Sequence, residues 1–289
     1  MPERRDFGEA LPQDRLPRLV RISFAADRVM NAVTRLHSLF WDEVLPAWFS
    51  PQRREAINQI IYGRLTGYLP GGDAFERGLF EWESLAIAEP PFPQTGRILL
   101  GGAGGGRELL QLCRRGFDVV AFEPSELCEG ARQTVASFPN SAVIRASYRD
   151  LVTAAQEHTG PLASHVLNVS FDAVLFGRGS FSYVFTESER RELLCATRMI
   201  APKAPLLLSF LMAQDAENGR LDCLRQGIRR SCKLLGAPAV PGPGDAFLSH
   251  FVHLVSQDEI KAVAGASGYR ILYSSTSDTF SPYAMLMPQ

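Results

Sequence analysis

The sequence predicts an α/β fold: a doubly wound sheet of seven strands, mostly parallel with an antiparallel final strand, and a helical N-terminal cap. Three observations predict it. From Arg97 onward, short apolar runs alternate with helical patterns, the texture of a mostly parallel sheet covered on both faces. The first run empties into Gly101-Gly102-Ala103-Gly104-Gly105-Gly106, a loop that opens a helix. The last two runs are joined by residues 275–282, too short for a crossover helix, so they pair antiparallel.

The elements follow in order. Residues 27–48 carry Val29, Val33, Leu36, Phe40 and Val44 at helical spacing. A second helix follows Ser50-Pro51, with Ile57, Ile60, Ile61 and Leu65. Tyr68-Leu69-Pro70-Gly71-Gly72-Asp73 is a turn by composition, and residues 75–88 form a third helix. Pro90-Pro91-Phe92-Pro93 ends the helical region, so the cap spans 1–95 and the main domain 96–289. Strands are expected at 98–101, 118–122, 142–145, 171–176, 205–210, 269–273 and 283–287. Helices are expected at 107–115, 125–137, 187–200 and 258–266. Residues 213–256 interrupt this rhythm and are expected to be a lid. They begin helical and run into the Gly-Pro-rich 236–244.

Composition narrows the function. Thirty Lys and Arg face 31 Asp and Glu, a formal charge of -1, so no long-range field draws the chain to nucleic acid or to an anionic membrane. Cys113, Cys128, Cys195, Cys223 and Cys232 are odd in number and lack C-x-x-C spacing, which speaks against a disulfide framework or a metal site. Reduced thiols and a charged, non-apolar start, Met1-Pro2-Glu3-Arg4-Arg5-Asp6, give a cytoplasmic expectation.

The glycine loop selects a ligand class. Glycines let a backbone turn sharply and approach a ligand that a Cβ would exclude. A phosphate-binding P-loop needs Lys-[Ser/Thr] after its last glycine, and here Arg107-Glu108 stand there, with a carboxylate that repels phosphate. A dinucleotide loop needs G-x-G-x-x-G, and Arg107 takes the place of its third glycine. The pattern is instead Gly102-x-Gly104-x-Gly106. Phe122-Glu123-Pro124 ends the second strand about twenty residues on, where an acid accepts hydrogen bonds from ribose hydroxyls.

From Arg97 to the C-terminus these features resemble the class I S-adenosylmethionine-dependent methyltransferases, whose fold is Rossmann-like. The resemblance implies S-adenosylmethionine as cofactor, and an aromatic-rich cap over the carboxyl end of the sheet favours a small-molecule acceptor for O- or N-methylation. It implies cofactor contacts from Gly102, Ala103, Gly104 and Gly106, from Glu123 and Pro124, and from Ser147 and Tyr148 on the adenine side. Gly177 and Arg178, after the fourth strand, would face the methyl donor. Two positions depart from the family pattern. Leu100 stands where the family places an acid before its first glycine, so the methionine amino group needs another partner. Ser147 stands at the adenine-side acid, a place that Asp150 could fill instead.

Methyl transfer needs no diagnostic catalytic residue. His250 and His253, in Ser249-His250-Phe251-Val252-His253, are the candidates for a base or polar acceptor contact, read as sharing one strand face; a structural role is their alternative. Phe80, Trp82 and Tyr62 read first as helix core and second as acceptor box. Cap and lid are expected to converge over the carboxyl end of the sheet; the rival places the N-terminal helices on the far side, as the arm of a homodimer. An NAD-dependent oxidoreductase and a non-catalytic adenosyl-binding module are the rival functions.

Overall fold

The computed structural model describes residues 17–212, 219–239, 241–275 and 282–289. Residues 213–218 and 240 of the expected lid, and the start of the expected cap, lie outside the described residues. The helical region comprises α1 (Arg18–Trp48), α2 (Pro51–Gly63), α3 (Asp73–Glu76) and α4 (Glu81–Ala88). Ser50 starts α2 by accepting from the Arg53 amide at 3.4 Å, with Pro51 at the first helical position, where a missing N–H costs nothing. The helix expected over 75–88 is split into α3 and α4. Gly78, at φ +65°, breaks it, and α4 restarts with Glu83 accepting from the Phe80 amide at 2.7 Å.

The alternating region gives β1 (Arg97–Gly101), α5 (Arg107–Arg114), β2 (Asp118–Phe122), α6 (Leu127–Thr134) and β3 (Ala142–Ile144). It continues through α7 (Tyr148–Glu157), α8 (Ala163–Val166), β4 (Ala173–Phe176), α9 (Glu187–Ile200) and β5 (Leu206–Ser209). After α10 (Gly219–Leu234), β6 (Asp245–Phe247) and β7 (Phe251–His253) form a hairpin, and α11 (Gln257–Ala266), β8 (Tyr269–Ser275) and β9 (Tyr283–Pro288) close the chain. Sequence periodicity missed α7, which Ser147 starts with a reciprocal cap to Asp150.

The seven-stranded sheet has the order β3-β2-β1-β4-β5-β9-β8. All neighbours from β3 to β5 are parallel, and β9 runs against both β5 and β8. Both faces are buried, so the strands read as unbroken apolar runs rather than as alternation. Leu99, Val120, Val174 and Leu206 point into one core layer, and Ile98, Leu100, Val119 and Leu175 into the other. The order reverses between β1 and β4, which opens a crevice at their carboxyl ends.

Helix α10 lies along α1, where Arg229 pairs with Glu43. The outer half of α1 leaves Leu19, Ile22, Val29 and Val33 more than half exposed. The β6–β7 hairpin is tied to the core through buried charges. His253 Nδ1 lies 2.9 Å from Asp245, and its Nε2 lies 3.0 Å from Glu259. Arg54 of α2 donates to Asp245 at 2.7 Å, and Arg190 of α9 pairs with Glu259.

Burial opposes charge on His253, but the hydrogen bonds to Asp245 and Glu259 outweigh it and raise its pKa above 6.5. Burial likewise opposes ionisation of Asp245 and Glu259, and their bonds to His253 prevail, helped at Asp245 by Arg54, so both pKa values fall. A raised histidine contributes stability that is complete below its unfolded pKa and is lost as pH rises through its folded one. The two depressed carboxyls contribute stability that is lost only in acid. The melting temperature is therefore expected to decline on the alkaline side, from about pH 6 upward, and His253→Gln to remove most of that decline. A variant with the same alkaline slope as the parent, measured by scanning calorimetry, would refute this role for His253.

Candidate functional site

The crevice is built by the loops that leave the strand ends. Gly101 is level with Phe122 on one side and Phe176 on the other. The amides of Gly102 and Ala103 both donate to the Phe122 carbonyl, at 3.0 and 3.2 Å, which folds the glycine loop back over β2. The Gly104 amide donates to Glu123 Oε2 at 2.9 Å. The other carboxylate oxygen of Glu123 accepts from the Ser125 amide at 3.0 Å and its hydroxyl at 2.5 Å. Burial raises the Glu123 pKa, and these bonds oppose that rise. Gly104 sits at φ +53°, and nothing lies within 4 Å of where its Cβ would be. Its bare face is the kind of surface a ligand can approach closely.

A cleft of about 420 Å³ opens there. Of the residues expected in the site, Gly102, Ala103, Gly104, Glu123, Pro124, Ser147, Tyr148 and Arg178 line it. Gly106 and Gly177 do not. Gly106 is turned toward α6, where a Cβ would meet Ala131 and Thr134 at 3.1 Å. Gly177 lies behind the loop, its amide bonded to the Gly101 carbonyl at 2.9 Å. The Ser147 hydroxyl serves the cap of α7, donating to Asp150 at 2.8 Å. Tyr148 packs edge-on against Phe122 and Phe176, with its hydroxyl 2.6 Å from that of Ser180.

Further lining comes from the helical region, from the segments that follow β4 and β5, and from the hairpin. These residues are Tyr62 of α2, Tyr68, Phe80, Tyr183, Phe185, Leu211 and His250. The hydroxyls of Tyr62 and Tyr183 touch, and His250 Nε2 lies 3.0 Å from the Tyr183 hydroxyl and 3.4 Å from that of Tyr62. Burial lowers the His250 pKa, which favours the neutral imidazole. His253 does not share its face. The two stand three positions apart, an odd interval along an extended chain, and His253 turns to Asp245 and Glu259 instead. Trp82 stays out of the cleft, stacked on Tyr283 at 4.8 Å. Tyr68, Tyr183 and Glu108 are lining residues that sequence patterns did not single out. The one available signal was for Tyr183, which follows the strand bordering the switch point.

A buried ion cluster forms part of the cleft's lining. Arg107, the first residue of α5, makes a two-pronged bond to Glu83 of α4, at 2.7 and 2.6 Å, and donates to the Gly78 carbonyl at 2.6 Å. Arg107 also bonds Glu108. The ring of Phe80 lies 4.5 Å from the Arg107 guanidinium and 4.4 Å from that of Arg178. These contacts clamp the helical region onto the start of α5.

The fold is similar to that of an S-adenosylmethionine-dependent methyltransferase from Leishmania major, with a TM-score of 0.55 and 17% identity over 82% of this chain and 85% of that one. The chain shares that protein's fold. Magnesium protoporphyrin IX methyltransferase from Synechocystis, solved with bound S-adenosylmethionine, is also similar, at 13% identity, a TM-score of 0.49 and coverage of 82% and 97%. No family model matches the sequence, and no curated protein does. In this fold the cleft sits where the strand order reverses. Among the described residues, no group of three His, Cys, Asp or Glu is placed to hold a metal, and no helix is long and apolar enough to cross a membrane.

Proposed function

We propose that this chain is an S-adenosylmethionine-dependent methyltransferase acting on a small-molecule acceptor by O- or N-methylation. The observation that carries it is the pairing at the switch point: a glycine loop with one bare face, joined through the Gly104 amide to a buried acid at the end of β2. The donor set fits an adenosyl group. Glu123 would accept from the ribose hydroxyls, with Pro124 beside it, and the backbone of Gly102, Ala103 and Gly104 would follow the chain toward sulfur. Ser147 and Tyr148 would border the adenine, and Arg178 the amino-acid end. Gly106 and Gly177 then act indirectly, by letting the loop pack.

Bound S-adenosylmethionine supplies a methyl group already activated at a sulfonium. The protein's own work is therefore alignment and exclusion of water. Tyr62, Tyr183, Phe185 and Leu211 form a mostly apolar wall across from the glycine loop, suited to a small, partly apolar acceptor. His250, held neutral by burial, is the group able to take a proton from an acceptor hydroxyl or ammonium. Of the expected cap (1–95), Tyr62, Tyr68 and Phe80 line the cleft, and of the expected lid (213–256), His250 does. An acceptor analogue bound beyond hydrogen-bond reach of His250 would remove the histidine from the reading.

Thermal denaturation tests the function. A ligand selective for the folded state raises the melting temperature. S-adenosylhomocysteine is expected to do so, and NAD is not. A shift with NAD and none with S-adenosylhomocysteine would overturn the proposal in favour of an oxidoreductase.

A further inference from the structure

From Arg18 to Ser38, every described side chain of α1 is exposed. The helix meets its own domain further on, where Leu39, Glu43 and Ala47 are buried. A helix standing alone in water is marginal, because most helical stability comes from packing an amphipathic face. This stretch is a weak helix former besides, with Val20, Ile22, Phe24, Val29, Val33 and Thr34 in it. Its support therefore comes from a partner.

The spacing of the apolar residues says what kind of partner. Leu19, Ile22, Ala26, Val29, Val33, Leu36 and Phe40 follow one another at alternating intervals of three and four. That is the heptad seam by which one helix packs along another. The positions flanking the seam are Ser23, Ala25, Met30, Ala32, His37 and Leu39, with no Asp, Glu, Lys or Arg among them. Two identical helices can thus meet along it without facing like charges. Run antiparallel about a two-fold axis, the seam matches itself. Phe40 falls opposite Ile22, Leu36 opposite the small Ala26, and Val33 opposite Val29. A membrane surface suits the helix less well, since Asp27 and Thr34 rather than cations follow one flank of the seam.

The area is sufficient. Exposure along the seam runs from 79% at Leu19 to 46% at Phe40, and Met30 beside it is 62% exposed. These side chains offer apolar surface on the order of 800 Å², what one partner in a stable dimer buries and more than the ~300–600 Å² patch of an ordinary monomer. We propose that α1 is the dimerisation element of this chain, two copies joining through residues 19–40 as an antiparallel helix pair. Among the described residues, none of α1 lines the cleft, so the dimer stands independently of the reaction.

Sedimentation equilibrium of the full chain at micromolar concentration is expected to give twice the mass of one chain. Val29→Glu combined with Val33→Glu puts two carboxylates from each chain into the middle of the pair. It is expected to raise the dissociation constant at least about hundredfold, since an unpaired charge is costly to bury. A glutamate variant that stays dimeric overturns the proposal. So does a monomeric parent, and a monomer that binds phosphatidylserine vesicles through α1 assigns the face to a membrane instead. Should the glutamate variant not fold, cross-linking decides. Cys223 is exposed, so the chains compared carry Cys223→Ser. Ile22→Cys and Phe40→Cys chains are expected to form a disulfide-linked dimer when mixed and none when kept apart. Linked dimers of the Ile22→Cys chain alone would overturn the antiparallel pair.

Discussion

Arg107→Ala is expected to lower the stability of the chain by about 3–5 kcal/mol, the cost of removing one partner from a buried ion cluster. The residue is 5% exposed and its side chain holds Glu83, Glu108 and the Gly78 carbonyl. Its loss removes the guanidinium that Glu83 and Glu108 share and takes that group from the face of Phe80. It also cuts the link between α4 and α5, so the wall formed by the helical region should loosen along with the fold. Replacing Arg107 and Glu83 together by apolar residues of similar volume is expected to cost much less, because fewer charges are left buried and unpaired. Urea denaturation of the single and paired variants measures both. A single variant within about 1 kcal/mol of the parent would show that water reaches the cluster and screens it.

Glu123→Ala is expected to weaken S-adenosylhomocysteine binding by well over about tenfold, each tenfold step being ~1.4 kcal/mol. Two effects act together. The proposed bonds to ribose are lost, and so is the acceptor that holds the Gly104 amide and with it the set of the glycine loop. Glu123→Gln, which keeps one carbonyl acceptor at that place, is expected to fall between the parent and the alanine variant. Isothermal titration checks the series. Unchanged affinity in a folded Glu123→Ala chain would take this acid out of the site.

The framework of the sheet was legible because its signals are local. Apolar runs of strand length, glycines directly after the first run, and an acid at the end of the second reflect backbone requirements over a few residues. They were enough to place Gly102, Gly104 and Glu123 at one crevice, since strand order in a parallel sheet puts those loops side by side. Direction within the loop was less legible. Gly106 and Gly177 have the same chemistry as Gly104, yet they face α6 and the back of the loop, and only packing distinguishes them.

The composition and periodicity of this chain determined by themselves a doubly wound sheet and a glycine loop joined to an acid. The tertiary structure alone decided what covers that loop. Tyr62 and Tyr183 meet across 121 positions of sequence, Arg107 reaches back 24 residues to Glu83, and His250 and His253 part company. Such contacts depend on how α2, α4 and the β6–β7 hairpin pack against the sheet, a balance of buried area and paired charge that is not encoded in any single stretch of the chain.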